Sequence, residues 1–323
     1  MINRPRRNVF ILLSSHALPY AKVCIRTMLN NSVEPLRLRL VVDNYSEKSL
    51  IEAALSEIET PQDNLVEVVA KEEVQALLHK RFPGKKGLIQ LHEGHPCWRK
   101  IIDPLVLCAE DEEFIVTDPD LYFPNLYSFE PTPNSGVMMM YQGPNCLLPP
   151  AAVRSVFDMG VKLANHVDIG VAQMRVGALD LDWLDWLVLG MDVERFRHFM
   201  HIEAIIWSAI AMKIGGEHLN PHAWKCWQRG HIKRVAVALG VPGKWTLKLE
   251  PLAQMKCIHV SGKSKWWVTE SLESGFLKET RNRIDTPTQG VAYRELTKSY
   301  FEREQKLKTA AKKLGYYKLT KSA

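Results

Sequence analysis

The sequence has no apolar run that approaches the roughly 20 residues needed to cross a bilayer. Its first apolar segment, Val9–Leu13, follows three arginines, as the core of an export signal would. At five residues, however, it is shorter than the about 7–15 residues of such a core. A buried first strand explains this segment better. We therefore expect a cytoplasmic protein.

Paired cysteine motifs are also absent. The chain has six cysteines at irregular spacings, and no two of them form a C-x-x-C pair. This excludes zinc ribbons and thioredoxin-like redox sites. We expect reduced, mostly buried thiols.

The chain has no excess charge outside its C-terminal segment. Nine basic and three acidic residues lie between Arg294 and Ala323, and they account for the whole net charge of +6. The preceding residues are formally neutral, whereas a nucleic-acid-binding domain would carry basic residues across its main body. We expect no nucleic-acid partner, and binding through the basic tail remains the non-enzymatic alternative.

Hydrophobic residues make up 46% of the 323 residues, which excludes a disordered chain. Strand and helix patterns alternate, as in βαβ units with a mostly parallel sheet. The predicted strands are Val9–Leu13, Leu36–Val42, Leu65–Ala70, Glu113–Thr117, Val137–Tyr141 and Met255–Val260. The predicted helices are Ala17–Leu29, Lys71–Phe82, Trp98–Ala109, Ala178–Leu189, Ile202–Lys213 and Ile232–Leu239.

These elements predict a Rossmann-like α/β fold, with a mostly parallel central sheet flanked by helices. Gly84–Gly94 is predicted to be a loop, and the chain after Leu147–Pro150 is predicted to be mainly helical. No internal repeat and no low-complexity linker divides the chain. We expect one catalytic domain over residues 1–290 and a basic helical tail over residues 291–323.

Two aspartates, Asp118 and Asp120, directly follow the predicted strand Glu113–Thr117. The carboxyl ends of strands are where open α/β sheets bind ligands. Paired carboxylates at such a place can hold a hard divalent cation that bridges phosphates. The alternative is a structural turn, because Asp-Pro-Asp is also good turn chemistry.

A second segment that can carry chemistry starts at His259, at the end of the last predicted strand. Gly262 permits close approach of the backbone to a phosphate, and Lys265 can neutralise phosphate charge. A P-loop is excluded, because the first glycine of that motif would fall on Cys257. The alternative is a lone histidine followed by a basic turn.

Together, these two segments resemble the GT-A-fold glycosyltransferases, and most closely glycosyltransferase family 8 and its relatives. That family has a D-x-D motif after a strand, which Asp118 and Asp120 match. It also has a late H-x-x-G-x-x-K-P-W motif, which the segment His259–Trp267 matches except that Trp266 replaces the proline.

Three weaker matches accompany these motifs. Lys100 and Pro104 have the spacing of the family's R-x-x-x-P motif, with lysine in place of arginine, although the neighbouring Arg99 offers a substitute. Asp168–Val171 resembles the N-S-G-V segment of the family. Glu203 lies where the family often has an acidic D-Q pair.

The resemblance implies a divalent metal, Mn²⁺ or Mg²⁺, held by Asp118, Asp120 and His259, with Asp118 also facing the donor ribose. It implies a nucleotide-sugar donor, most commonly a UDP-sugar, whose diphosphate lies near Lys100, Gly262 and Lys265. These three residues and Asp118 are therefore expected to bind the donor.

Ser14 and Asp43 end the first two strands near the expected nucleotide and are further candidates for donor contacts, or else simple loop residues. Asp43 is a candidate for a ribose contact or for a base. An inverting enzyme would also need a carboxylate base for the acceptor hydroxyl, for which Asp168 and Glu203 are the catalytic candidates. The alternative for both acids is helix capping or a solvated surface position. Trp266 and Trp267 are candidates for acceptor contacts.

The function that we predict is metal-dependent transfer of a sugar, of hexosyltransferase type, to an acceptor hydroxyl in glycan or polysaccharide biosynthesis. The acceptor is expected to be a carbohydrate or a glycolipid. The enzymatic alternative is a nucleotidyltransferase acting on a sugar phosphate. Such enzymes usually have a glycine-rich basic loop after the first strand, whereas Ser14–Ala17 contains no glycine.

The basic tail carries apolar residues at a spacing of three and four, and lysines on its other face. Such a helix can lie on an anionic membrane, which would place the protein peripherally at the inner membrane surface. It can equally pack on the catalytic domain. Its apolar row is Tyr293, Leu296, Tyr300, Leu307, Ala310, Leu314 and Tyr317.

Overall fold

The computed structural model describes residues 5–143, 145–227 and 231–316. The strands are β1 (Arg7–Leu12), β2 (Leu36–Val42), β3 (Leu65–Ala70), β4 (Glu113–Thr117), β5 (Leu121–Tyr122), β6 (Leu126–Tyr127), β7 (Val137–Tyr141), β8 (Val167–Arg175), β9 (Gly216–His218), β10 (Trp224–Cys226), β11 (Cys257–His259), β12 (Arg283–Ile284) and β13 (Val291–Ala292).

The helices are α1 (Leu18–Asn31), α2 (Tyr45–Leu55), α3 (Lys71–Arg81), α4 (Lys86–Glu93), α5 (Arg99–Leu107), α6 (Pro150–Asp158), α7 (Leu181–Gly190), α8 (Ile202–Ile214), α9 (His231–Ala238), α10 (Gly243–Lys248), α11 (Lys265–Glu273) and α12 (Lys298–Lys313). Short 3₁₀ turns connect several of them.

A mixed sheet organises the molecule. Among the described residues it has eleven strands, and its main order is β3-β2-β1-β4-β8-β7-β10-β11-β5, with β9 and β13 joined through β7. Strands β1 to β4 are parallel, β8 is antiparallel to both of its neighbours, and β7, β10 and β11 are parallel again. Helices cover both faces, so two apolar clusters lie on either side of the sheet.

The predicted strands Leu36–Val42, Leu65–Ala70, Glu113–Thr117 and Val137–Tyr141 are confirmed at those bounds. Three of them are buried along most of their length, as strands of a sheet covered on both faces are. The flanked, Rossmann-like α/β architecture is therefore confirmed.

Strand β8 was not predicted, and the expectation of a mainly helical second half is wrong here. Its first eight residues are buried, so the apolar and polar alternation of a half-exposed strand is missing. Asp168, Gly170 and Gln173 also interrupt its apolar run. The strand nevertheless lies at the centre of the sheet, between β4 and β7.

The predicted loop Gly84–Gly94 is also wrong, because α4 occupies most of it. Leu88 and Leu91 of this helix are fully buried. The N-terminus of α4 is capped by a distant side chain: Oδ1 of Asp185, on α7, accepts hydrogen bonds from the backbone N–H groups of Gly87 (2.7 Å) and Leu88 (3.1 Å). A cap supplied from 98 residues away leaves no local sequence signal.

The chain after residue 290 returns to the sheet before it forms α12. Strand β13 pairs with β9, and the Tyr293 hydroxyl donates to the carbonyl of Val137 at 2.9 Å. Leu296 and Phe301 are buried, whereas Leu307 and Leu314 are exposed. The first half of α12 therefore packs on the domain, and the boundary at residue 291 stays a prediction. Tyr317 lies outside the described residues.

No helix in the described part of the chain is long and apolar enough to span a bilayer.

Replacing Asp185 by alanine should lower the free energy of unfolding by about 1–2 kcal/mol, because two backbone donors of α4 lose their acceptor. Urea unfolding followed by circular dichroism measures this change. Glu59→Ala, which removes an exposed acid, is the control and should change stability by less than about 0.5 kcal/mol. Equal stability of the two variants would show that the cap contributes nothing.

Candidate active site

Three strands bring the two predicted motifs together. Asp118 follows the end of β4, and its backbone N–H donates to the carbonyl of Gly170 on β8 at 3.0 Å. Asp120 precedes β5, which pairs antiparallel with β11, and its carbonyl accepts from the N–H of Val260 at 3.1 Å. His259 ends β11. The backbone network therefore fixes the aspartate pair and the histidine at one edge.

His259 connects a buried acid to the aspartate pair. Its Nδ1 lies 2.8 Å from Oδ2 of Asp168, and its Nε2 lies 3.2 Å from Oδ1 of Asp120 and 3.5 Å from Oδ2 of Asp118. When Nδ1 carries a proton toward Asp168, Nε2 is left to face Asp118 and Asp120 with its lone pair. A carboxylate behind the ring is the usual arrangement for a metal-binding histidine.

The charges of this cluster are strongly coupled. Burial lowers the pKa of His259, but the carboxylates of Asp168 and Asp120 outweigh it and hold that pKa well above its ordinary value. Burial raises the pKa of Asp168, yet the imidazolium and its hydrogen bond bring the net pKa below the usual range. Burial, opposed by Lys100 and His259, leaves the pKa of Asp118 raised. In the absence of a metal, His259 is therefore protonated.

Lys100 lies between two acids under the cleft. Its Nζ pairs with Oδ1 of Asp118 and lies 3.1 Å from Oε1 of Glu203. Burial lowers the pKa of Lys100, but the two carboxylates raise it well above its ordinary value. Burial raises the pKa of Glu203 to about 7, because Lys100 offsets only part of the effect and Asp118 adds to it. The second oxygen of Glu203 is buried without a hydrogen-bond partner.

Gly170 makes room for the histidine. A Cβ atom at this position would lie 2.5 Å from Nδ1 and 2.7 Å from Cγ of His259. The register between β7 and β8 shifts next to it, since Met139 pairs with Ala172 while Met140 pairs with Asp168. Such irregularities re-aim side chains beside sites. Here the irregular stretch lets Asp168 and His259 meet.

The cluster borders an open cleft of about 310 Å³. Ser14 and Asp43, at the ends of β1 and β2, line this cleft together with Lys100 and Asp118. Asp43 is held by Arg99, whose Nη1 donates to its Oδ1 at 2.9 Å. Arg99 thus faces the second strand end, and Lys100 faces the aspartate pair. Other residues that line the cleft include Tyr20, Asp120, Glu203 and Lys265.

Lys265, in the segment that starts at His259, also lines the cleft. Gly262 has a φ of +65°, a left-handed conformation that favours glycine. Nζ of Lys265 reaches the cleft, 3.0 Å from the hydroxyl oxygen of Tyr20 and 4.1 Å from the centre of its ring. Trp266 packs edge-on against the same tyrosine and stays about half exposed. Trp267 is turned inward, against Trp227.

The donor set fits a hard or borderline divalent cation. One ligand atom each from Asp118, Asp120 and His259 lie within 4.8 Å of one another. Two carboxylates suit Mn²⁺ or Mg²⁺, the imidazole favours a transition metal such as Mn²⁺, and the open cleft leaves room for phosphate oxygens. Asp168, Cys226 and His259 form a second such group, but it is fully buried and includes a thiol.

A groove of about 460 Å³ on the other side of α8 is larger than the cleft. Trp183, Trp186 and two lysines are among its lining residues, and none of the residues described there is an acid. It therefore lacks the carboxylates that a divalent cation needs.

The structure brings most of the predicted site residues together. Ser14, Asp43, Lys100, Asp118, Asp120, Glu203 and Lys265 line the cleft, and His259 contacts the aspartate pair. Gly262 lies in the turn beyond it. Asp168 and Glu203 are both buried, so neither is the solvated acid of the alternative interpretation. Asp168 lies behind His259 and is not among the residues that line the cleft, which favours a positioning role over the predicted catalytic one.

Sequence analysis did not identify Gly170, Tyr20 or the pairing of Asp168 with His259. The glycine in Asp168–Val171 was a signal, because a glycine inside a strand often marks close approach of another group. Tyr20 had no comparable signal in the sequence.

No protein-family model matches the chain, and no curated protein matches it. Among solved structures, it is similar to mouse xyloside xylosyltransferase 1, with 12% identity over 81% of this chain and 99% of that chain, and a TM-score of 0.52. At this identity the likeness shows the fold alone. The fold is GT-A-like.

Two further glycosyltransferase structures have lower TM-scores. The bifunctional enzyme WbbM has 9% identity over 82% of this chain and 47% of that chain, with a TM-score of 0.44. GlyE of Streptococcus pneumoniae has 10% identity over 85% and 65%, with a TM-score of 0.46. Membership of family 8 stays a prediction.

Replacing Gly170 by alanine should displace the His259 ring and weaken Mn²⁺ binding by about 10–100-fold, as loss of a supporting contact at a metal site typically does. Manganese electron paramagnetic resonance measures the free ion directly. Gly143→Ala is the matched control, because a Cβ at residue 143 meets no atom within 4 Å. Unchanged affinity in Gly170→Ala would show that His259 is not a ligand.

Proposed function

We propose that this GT-A-like protein transfers a sugar from a nucleotide-sugar donor to an acceptor hydroxyl, with the aid of a divalent cation. The observation that supports the proposal is the cluster of Asp118, Asp120 and His259 at the open end of the sheet, backed by Asp168 and facing a cleft. The same edge carries a lysine on each side, Lys100 and Lys265, at positions suited to a diphosphate.

In this mechanism, Asp118, Asp120 and His259 would hold Mn²⁺ or Mg²⁺, which supplies Lewis-acid stabilisation of the negative charge that develops on the departing diphosphate. Lys265 adds a cation on the outer wall of the cleft, and Lys100 adds one beneath it. Ser14 and Asp43 contact the nucleoside portion, with Asp43 oriented by Arg99. The turn at Gly262 brings backbone close to the phosphates.

Asp168 keeps His259 in one tautomer and one orientation, so its role is positioning. Glu203 has one oxygen on Lys100 and one buried oxygen without a partner, on the wall of the cleft. For an inverting reaction, we assign to Glu203 the role of the base that accepts the proton of the acceptor hydroxyl. Because its pKa is raised to about 7, it can take up that proton near neutral pH.

The finer assignments follow the resemblance to family 8. They are a UDP-sugar donor, a hexosyl group, and a carbohydrate or glycolipid acceptor in glycan or polysaccharide synthesis. A cytoplasmic location at the inner membrane surface, with α12 as a peripheral contact, belongs to the same proposal.

A nucleoside diphosphate should stabilise the protein only when Mn²⁺ is present, because the cation joins the two acids to the phosphates. At about 100 times its dissociation constant, the cognate nucleotide adds about 2.7 kcal/mol. Thermal unfolding with UDP, GDP or CDP, each with and without Mn²⁺, measures this effect and identifies the base. Asp120→Asn should abolish the shift, and Asp111→Asn, at an exposed acid, should retain it.

The absence of a Mn²⁺-dependent shift with every nucleotide, in folded protein, would contradict the donor site. The released product then separates the two enzymatic hypotheses. Sugar transfer from a nucleotide sugar releases a nucleoside diphosphate, whereas a nucleotidyltransferase releases pyrophosphate from a nucleoside triphosphate.

Glu203→Gln should lower kcat by about 100-fold or more, the typical contribution of a general base. In the wild type, kcat/KM should fall as the pH drops below about 7, since protonated Glu203 cannot accept a proton; a bound cation moves this limb to lower pH. The variant should lose the limb. Glu194→Gln, on an exposed turn, is the control. A limb that persists in Glu203→Gln would assign the base to another group.

A further inference from the structure

Helices α9 and α10, which are neighbours along the chain, both expose large apolar side chains. Ile232, Val235 and Leu239 repeat at i, i+3 and i+7, which places them on one face of α9 and its end. Ile232 is 87% exposed, Leu239 81% and Leu249, just after α10, 77%. Trp245 on α10 is about half exposed. We call these five residues the α9–α10 surface.

The segment that carries this surface is basic and has no acid. Between His231 and Leu249 the sequence contains four lysines and arginines and no aspartate or glutamate. Nζ of Lys244 lies 3.3 Å from a carboxylate oxygen of the exposed Glu270, and Lys248 lies 4.9 Å from the ring centre of Phe276. Both lysines therefore lie beside the apolar residues, and neither charge is buried. Lys244 is in a surface ion pair, and Lys248 is in a cation–π contact.

On α10, the exposed face has a buried counterpart, so the exposure of Trp245 is not a sign of an unpacked helix. Thr246 and Leu247 of α10 are buried. Trp267 packs so closely on Gly243 that a Cβ there would lie 2.2 Å from its ring. Trp227 donates from Nε1 to Glu250 at 2.9 Å. The inner side of α10 is thus fixed to the domain, and only its outer side lacks a covering.

We propose that the α9–α10 surface docks on an anionic lipid bilayer. Apolar side chains that enter the interface, a tryptophan at their edge and lysines beside them are the combination that binds such a surface. A symmetric contact with a second copy would bring together two segments of net positive charge, even when Glu250 and Glu270, which pair with Lys233 and Lys244, are counted. The charge therefore favours an anionic partner over self-association. The protein would be a peripheral membrane protein through this surface.

The same docking brings the cleft to the bilayer. Helix α10 packs on α11, whose first residue, Lys265, lines the cleft, and whose second residue, Trp266, lies exposed at its rim. The nature of the acceptor, unlike the docking itself, rests on the proposed sugar transfer. With that function, the acceptor is a lipid-linked sugar presented from the bilayer.

Flotation with vesicles tests the docking without any assay of activity. Full-length protein should float with phosphatidylcholine vesicles that contain about 30 mol% phosphatidylglycerol and not with phosphatidylcholine alone, and added salt should release it. The variant Ile232→Ser/Leu239→Ser/Leu249→Ser, and separately Lys244→Glu/Lys248→Glu, should each lower the partition coefficient by more than about tenfold. All substituted residues are surface residues, and circular dichroism verifies folding.

Two matched controls separate this surface from other sources of binding. Leu50→Ser/Leu77→Ser removes exposed leucines elsewhere and should leave flotation unchanged. Lys312→Glu/Lys313→Glu lowers the charge of α12 by the same amount and should reduce flotation less than Lys244→Glu/Lys248→Glu does. Quenching by brominated lipid should also reach Trp245 and be reduced in Trp245→Phe.

Three outcomes would overturn the proposal. Flotation that depends on Lys312 and Lys313 but not on the α9–α10 surface would assign docking to the tail alone. Concentration-dependent dimers in analytical ultracentrifugation that disappear in the triple serine variant would assign the surface to self-association. Failure of the wild type to float with anionic vesicles would show that the surface has a different partner.

Discussion

The arrangement of the site depends on the mutual neutralisation of buried charges at one edge of the sheet. Four acids and two cations meet there: Asp118, Asp120, Asp168 and Glu203 with Lys100 and His259. Because burial makes an unpaired charge expensive, each of the two cations has to contact two or more acids. The formal charge that is left over is negative. Burial is the main cause of the raised pKa values of Asp118 and Glu203, and the neighbouring acids add to it. A divalent cation would offset most of this negative charge.

The sheet topology is what makes such a concentration of charge possible. In a purely parallel sheet, all strands would end at this edge, so only residues that follow a strand's carboxyl end would reach the site. Antiparallel β8 instead carries Asp168 behind β11 at the point where β4 ends. Gly170 follows two residues later, and its missing side chain is the space that the His259 ring fills. The irregular register of β7 and β8 thus serves the site rather than the packing of the sheet.

Sequence reasoning located those features whose physical causes are local. Strands such as Leu36–Val42 and Glu113–Thr117 are short apolar runs between polar breaks, and the motif residues Asp118, Asp120 and His259 stand directly at strand ends. The same reasoning failed where the cause lies elsewhere in the chain. The cap of α4 comes from Asp185, and β8 has no alternation because the sheet is covered on both faces. The spacing of Lys100 and Arg99 did not show which of the two faces the aspartate pair, because that depends on the rotation of α5 against β2 and β4.

A divalent metal ion would affect the two cations of the cluster, His259 and Lys100, in different ways. The raised pKa of His259 favours its protonated form beside Asp168 and Asp120, so Nε2 would have to lose a proton before it could bind a metal ion. Because Asp168 lies beside Nδ1 and stabilises the proton there, the proton lost would be the one on Nε2, which faces the cleft. Lys100 would lose Asp118 as a partner if that carboxylate bound a metal ion. It would still contact its second acid, Glu203. The contact with Glu203 would therefore keep the ammonium group of Lys100 beneath the cleft, where it would face a bound diphosphate, if Asp118 bound another cation.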